Sequence, residues 1–354
     1  MTIEINPLPI DDRKSCPKEF SFGAIFSDHM FTQNFNHSNG WHNAKISEYK
    51  ALSLDPSAAV FHYSQEIFEG LKAYRSNTGD VNLFRPEENI KRFNRSAKRM
   101  VMPEVDAELH LEAIKSLVKL DQKWVPEQDG SSLYIRPTMI ATSPKLGLGA
   151  SNEYCHFIIA GPAGSYFEGG LTPISVFVAD EYRRAVKGGV GEAKTGGNYA
   201  ASLYASEEVS KLGYSQVLWL DAVHGKYIEE VGAMNICFVY EGKKIVTPML
   251  SGSILPGITR DSILQLAPTL GYEVSEQQLD IAEILADIDN GKITEVFGCG
   301  TAAVVSPVGK LGFKGSEHVI NNNETGPVSK HLYDELTGIQ YGTREDKFGW
   351  IQKV

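Results

Sequence analysis

Residues 188–199 read GGVGEAKTGGNY, five glycines in twelve residues around one lysine, Lys194. Glycine disfavours helix interiors and weakens strands, so a turn or loop is the plain expectation here. The flanking segments predict a strand at ISVFVA (174–179) and a helix at AASLYASEEVSKL (200–212), stopped by Gly213. Three readings of the loop compete: a surface turn, a phosphate cradle of the form G-x-x-x-x-G-K-[ST], or a turn that presents a nucleophilic lysine to a carbonyl. The cradle fits worst. Ala193 stands where its second glycine belongs, and DEYRRAVK separates the strand from Gly188, although a cradle follows its strand at once.

The chain has 354 residues, enough for two domains or one large enzyme domain. With 42% hydrophobic and 22% charged residues it is a globular composition. A net charge of −10 argues against binding along a nucleic-acid backbone. The start, MTIEINPLPIDDRK, lacks the basic and apolar regions of a secretory signal, and no apolar run reaches the roughly 18 residues of a membrane span. Cys16, Cys155, Cys237 and Cys299 form no C-x-x-C pair and the histidines no H-x-x-x-H, so neither a metal site nor a disulfide framework is expected, and a reducing cytoplasm is.

Alternating aromatics in FSFGAIFSDHMF (20–31) predict a strand. EENIKRFNRSAKRMV (87–101), opened by Pro86, and AELHLEAIKSLVKL (107–120) predict helices. SLYIRPTMI (132–140) and YCHFIIAGP (154–162) predict strands that complete an α+β unit over 1–165. A Gly- and Pro-rich junction is placed over 166–180, inside which 174–179 opens the second half as a strand, and a larger unit covers 181–354. There QVLWLD (216–221) predicts a strand and NICFVYEGKKIVTP (235–248) a hairpin turning at Glu241-Gly242. SGSILPGITRDSILQLAPTLG (251–271) predicts a turn opening a helix, and ITEVFGCGTAAVVSP (293–307) two strands about a small turn.

A lysine nucleophile needs partners. Pyridoxal phosphate would want backbone N–H groups and an arginine at its phosphate, an acid at its ring nitrogen and a donor at its phenolic oxygen. The helix start at Ile258 and Thr259 and the turn at Thr301 suit an anion, though each is equally a plain cap or hairpin turn. Glu229 and Glu230 lie side by side in an extended segment, so one can point inward and the other to water. Tyr199 follows Lys194 by five residues. Arg92 stands in a basic run with Lys91, Arg95, Lys98 and Arg99, which on pattern alone reads as a solvated helix face.

Taken together, YSQEIFEGLKAY, LFRPEENIKRF, SLYIRP, AKTGGNY, IEEVGAMNICFV, ILPGITRD and FGCGTAA occur in an order that resembles the branched-chain amino-acid aminotransferases, which are fold-type IV pyridoxal-phosphate enzymes. The resemblance runs from about Phe20 to the C-terminal region. It implies a small α+β N-terminal domain, a larger pseudo-barrel domain and the cofactor between them. By position it assigns Lys194 as the Schiff-base lysine and proton shuttle, Glu230 as the acid at the ring nitrogen and Tyr199 as the phenolic-oxygen partner. Arg92, Ile258, Thr259 and Thr301 would hold the phosphate, with Leu255 packed on the ring. The N–H groups of Thr301 and Ala302 would receive the substrate carboxylate. Phe22, Tyr63, Tyr134 and Tyr166 would wall the side-chain pocket, and Arg136 would receive the distal carboxylate of glutamate. The resemblance also implies a homodimer acting on leucine, isoleucine or valine with 2-oxoglutarate. Some relatives carry a C-x-x-C pair after the Gly-Thr-Ala turn; here those positions are Ala303 and Ser306, and Cys299 reads as a buried filler. The alternatives are a D-amino-acid aminotransferase or an aminodeoxychorismate lyase of the same fold, a P-loop nucleotide-binding protein, or a non-catalytic binding module.

Overall fold

The structure, a computed structural model, describes residues 1–164 and 171–354. The chain divides into two compact units. The first comprises Met1–Ser165, Ala193–Gly196 and Gly338–Val354; the second comprises Tyr166–Glu192 and Gly197–Thr337. The C-terminal strand Ile351–Lys353 thus belongs with the first unit, where it pairs antiparallel with Val81–Phe84. No helix among the described residues is long and apolar enough to cross a membrane.

The first unit is built on a nine-stranded sheet. Its central strands, His29–Asn36, Glu153–Ala163, Ser132–Ala141 and Leu71–Arg75, run antiparallel. Side chains alternate across a strand, and Ser132–Ala141 shows what that does here. Leu133, Ile135, Pro137 and Met139 are buried, while Tyr134, Arg136 and Thr138 are only half-buried. Helix Ala107–Leu120 covers the buried side with Leu109, Ala113, Ile114 and Leu117, against Phe31, Leu71, Leu133 and Ile135. Helix Pro86–Arg99 covers it further along with Phe93 and Ala97, against Ile67 and Met139. Its first turn carries Pro86, Glu87 and Glu88, which suits the positive end of the helix dipole. The half-buried side, which carries Tyr134, Arg136 and Thr138, is thereby left without a helix from these two. Strand pairing places Lys72 opposite Tyr134, Phe68 opposite Thr138 and Glu66 opposite Ile140, so these residues share that face.

The expected strand over 20–31 is corrected: Ser21–Ala24 form a turn, and the strand begins only at His29. The aromatics of 20–26 alternate for another purpose, since Phe22 packs its ring edge-on to Tyr134 at 5.0 Å.

The second unit has its own nine-stranded sheet, in which Ile174–Val178 lies parallel to both Gln216–Leu220 and Val304–Phe313. An isolated bridge between Val231 and Met234 turns the strand Ile228–Val231 back toward Asn235–Tyr240. Val176, Leu218, Ile236, Phe238 and Leu311 fill the interior, closed by Ile284, Leu285 and Ile288 of helix Ile281–Asp289. The hairpin over 235–248 turns at Glu241 and Gly242, both with positive φ, and Lys243 N–H donates to Tyr240 O at 3.0 Å. This is the mirror-image turn that matches strand twist.

Candidate active site

In the first unit the amine is held by its backbone. Lys194 N–H donates to Ser96 Oγ at 2.9 Å and Lys194 O accepts from Phe68 N–H at 3.0 Å. Thr195 Oγ1 donates to Glu66 O at 2.8 Å, and Gly196 N–H donates to the Glu66 carboxylate. A Cβ at position 196 would collide with that carboxylate, whereas one at 197 would meet nothing within 4 Å. The first glycine after the lysine therefore makes room for Glu66. Glu66 itself has its carboxyl pushed up by burial, against the pull of the Gly196 N–H, Arg136 and Thr195.

The Lys194 ammonium lies 4.9 Å from the centroid of the Phe68 ring, and the Arg136 guanidinium carbon lies 4.7 Å from the same centroid. Two cations thus share one aromatic ring, a favourable contact for each. Arg136 also donates to Tyr134 Oη at 3.2 Å, while its buried Nε has no hydrogen-bond partner among the described residues. The structure brings together Lys194, Phe68, Tyr134, Arg136 and Phe22. Tyr63 is exposed and its hydroxyl donates to Leu146 O instead. Tyr166 lies outside the described residues.

Arg92 is the one buried member of its basic run; Lys91, Arg95, Lys98 and Arg99 are exposed. That corrects the reading of Arg92 as part of a solvated face. Glu69 takes it inward, and Asn89 Nδ2 donates to the same carboxylate at 2.8 Å. Burial alone would raise the Glu69 carboxyl, yet Arg92, Lys194 and Asn89 together hold it below its ordinary value. Nothing local in IFEGLK marks Glu69, whose partner lies 23 residues away.

In the second unit Arg184, Tyr199, Glu230, Gly232, Ala233 and Leu255 line a cavity of about 130 Å³. The expectation that Glu229 or Glu230 would face water is corrected. They are 5% and 3% exposed, so both are buried, and they line different cavities. Glu230 is ion-paired with Arg184 and accepts from Asn235 Nδ2 and Leu255 N–H, each at 3.3 Å. Ser253 joins the two carboxylates, because its hydroxyl donates to Glu229 and its carbonyl accepts from Arg184 Nη2 at 2.5 Å. Arg184 was not singled out from sequence; its only signal is a second arginine in EYRRAV.

Helix Ile258–Thr269 starts after Gly257 with no side-chain cap, and Ile258 and Thr259 at its head are buried. A Cβ at 257 would strike Asn235 Oδ1, so glycine keeps the helix start close to Asn235 and through it to Glu230. Thr301 and Ala302 sit in the turn between Ile293–Gly300 and Val304–Phe313. The turn ends at Val304 with φ of 60°, a strained value for a β-branched residue and of the kind that collects at functional sites.

These residues fit pyridoxal phosphate. Arg184 lines the cavity, and its buried Nε has no hydrogen-bond partner among the described residues. A buried carboxylate beside it suits a protonated ring nitrogen, and an uncapped helix start suits a phosphate dianion.

Comparison with known proteins agrees. Residues 66–311 match the family Amino-transferase class IV. A probable branched-chain-amino-acid aminotransferase of Staphylococcus aureus is 54% identical over 339 residues, covering 96% of this chain and 94% of the relative. The branched-chain-amino-acid transaminase 1 of Bacillus subtilis is 52% identical over 342 residues, covering 96% of each chain. Among solved structures, the Escherichia coli branched-chain amino acid aminotransferase superposes with a TM-score of 0.77 at 28% identity, covering 92% of this chain and 98% of that one. With a lysine, a buried acid and an uncapped helix start in these positions, the chain has the fold-type IV architecture and belongs to the class IV aminotransferases.

Proposed function

We propose that this enzyme moves the amino group of leucine, isoleucine or valine to 2-oxoglutarate, with pyridoxal phosphate as cofactor. The observation that carries the reading is the half-buried face of the first sheet, where Phe68 and Tyr134 flank one arginine, Arg136, with Phe22 packed on Tyr134 and Lys194 on Phe68. An apolar side chain is favoured there by about 0.8 kcal/mol per buried CH₂. A distal carboxylate is favoured by a charge-assisted pair with Arg136. One pocket then serves both halves of a ping-pong exchange.

Bound pyridoxal phosphate supplies an aldehyde carbon for the amino group and a cationic ring that takes up the electron pair released at the substrate Cα. Lys194 takes the proton from Cα and returns it at C4′. Glu230 holds the proton on the ring nitrogen, and Arg184 holds Glu230. Tyr199 bonds the phenolic oxygen and Leu255 packs on the ring. Arg92, Ile258, Thr259 and Thr301 bind the phosphate. The N–H groups of Thr301 and Ala302 orient the substrate α-carboxylate, with Tyr63 and Tyr166 as further walls. The reading carries with it a cytoplasmic homodimer.

The test is borohydride reduction of the purified holoenzyme followed by peptide mapping. A pyridoxyl group on Lys194 is expected; label on another residue, or none, overturns the assignment. A panel of L-leucine, D-alanine and 2-oxoglutarate separates this reading from a D-amino-acid aminotransferase.

A further inference from the structure

Glu229 faces away from the proposed cofactor residues and toward a cavity of its own, about 380 Å³. That volume falls within the usual range for small-molecule sites. One carboxylate oxygen accepts from Ser253 Oγ, which lies 2.7 Å from Ser251 Oγ. The other, Oε2, is buried and has no hydrogen-bond partner among the described residues. The neighbouring acid, Asp221, is committed elsewhere. Its two oxygens accept the N–H groups of Val223, His224, Lys226 and Tyr227 at 2.6–3.1 Å. Glu229 is therefore the lining carboxylate with an open acceptor.

Polar side chains, among them Tyr227, Gln277 and Gln278, share the lining with an apolar patch. Ile228 and Ile254 are buried at the base, and Val223, Met249 and Leu250 are 71%, 50% and 44% exposed at the mouth. Burial pushes the Glu229 carboxyl up, against the pull of Ser253, of the Arg184 charge and of Ser251, and a cation at its unpartnered oxygen would offset the rest of that cost. An apolar lip of Val223, Met249 and Leu250 and a buried carboxylate oxygen without a partner among the described residues suit a ligand with a charged donor at one end and a compact hydrocarbon body.

We propose that this cavity is a second binding site, for a small organic ammonium ion on a compact apolar body, with Glu229 as its counter-ion. A free amino acid and a polyamine share this chemistry. The amino acid would in addition bring its carboxylate toward Lys187 and His224, which also line the cavity.

The experiment is calorimetric titration of the holoenzyme with N,N-dimethyl-3-methylbutylammonium, a tertiary ammonium that cannot condense with an aldehyde. Saturable binding of one ion per chain is expected. Glu229→Gln, and independently Leu250→Lys at the exposed lip, should each weaken it about tenfold or more. Absence of saturable binding to the wild type, or unchanged affinity in both variants, overturns the proposal. Displacement of the probe by L-valine identifies an amino acid as the occupant, and displacement by 1,4-diaminobutane a polyamine; either supports the site.

Discussion

Glu69 grips Arg92 with both carboxylate oxygens, at 2.6 Å from Nε and 2.9 Å from Nη2, where the two side chains are 1% and 4% exposed. Such a fork fixes the plane of the guanidinium as well as its position. Removing one partner of a buried pair strands the other charge, at a cost of roughly 3–5 kcal/mol. Glu69→Ala should therefore lower unfolding stability by about that amount in urea denaturation of the apoprotein. A loss under about 1 kcal/mol would mean that Arg92 finds water or another partner.

Glu230→Gln keeps the shape of the acid and removes its charge. Turnover should fall severely while pyridoxal phosphate still binds, seen by steady-state rates beside absorbance titration of the cofactor. Near-normal turnover would refute the role of this acid in keeping the ring cationic.

Arg136→Ala removes a cation from the face that carries Tyr134 and Phe68. The kcat/KM for glutamate should drop more than that for leucine, because a lost charge-assisted bond affects only the dicarboxylic substrate. Equal losses would show that the arginine does not discriminate.

His110 packs against His156 with ring centroids 4.8 Å apart, inside the first unit. Burial, opposed weakly by Glu69, pushes the His110 pKa down to about 4 from 6.5. His156 is lowered well below its usual value, by burial first and by His110 second. Both are neutral when folded and gain protons on unfolding, so the stability they contribute is complete above about pH 6.5 and is lost as pH falls toward 4. For His110 alone the loss is about 3 kcal/mol, readable as a falling melting temperature across that window. His110→Phe should flatten part of the decline.

Helices and central strands were legible because their signals are local. Ile90, Phe93 and Ala97 recur at helical spacing behind Pro86, and the helix runs Pro86–Arg99. SLYIRPTMI over 132–140 reads as a strand, found as Ser132–Ala141. Alternation over 20–26 misled, because period two says only that side chains point opposite ways; it names no neighbouring strand, and here Phe22 has Tyr134 as its partner. Charges inside the fold were the least legible. Arg92 looks like Arg95 in sequence, and its pairing with Glu69, 23 residues away, separates them. Glu229 and Glu230 obeyed the alternation rule, but water was the wrong guess for the outward one, because the segment around Ser253 covers it.

The alternation along Ser132–Ala141 also bears on how this enzyme can diversify. Residues 133, 135 and 139 are tied to the helices beneath and cannot change size without unsettling the domain, whereas 134, 136 and 138 are spared that duty. Between 133 and 139 this strand so separates tolerance from constraint at every other position. Libraries confined to positions 134, 136 and 138 can search for new amino donors while foldability stays largely untouched, and a one-residue insertion ahead of them would exchange the two sets at once.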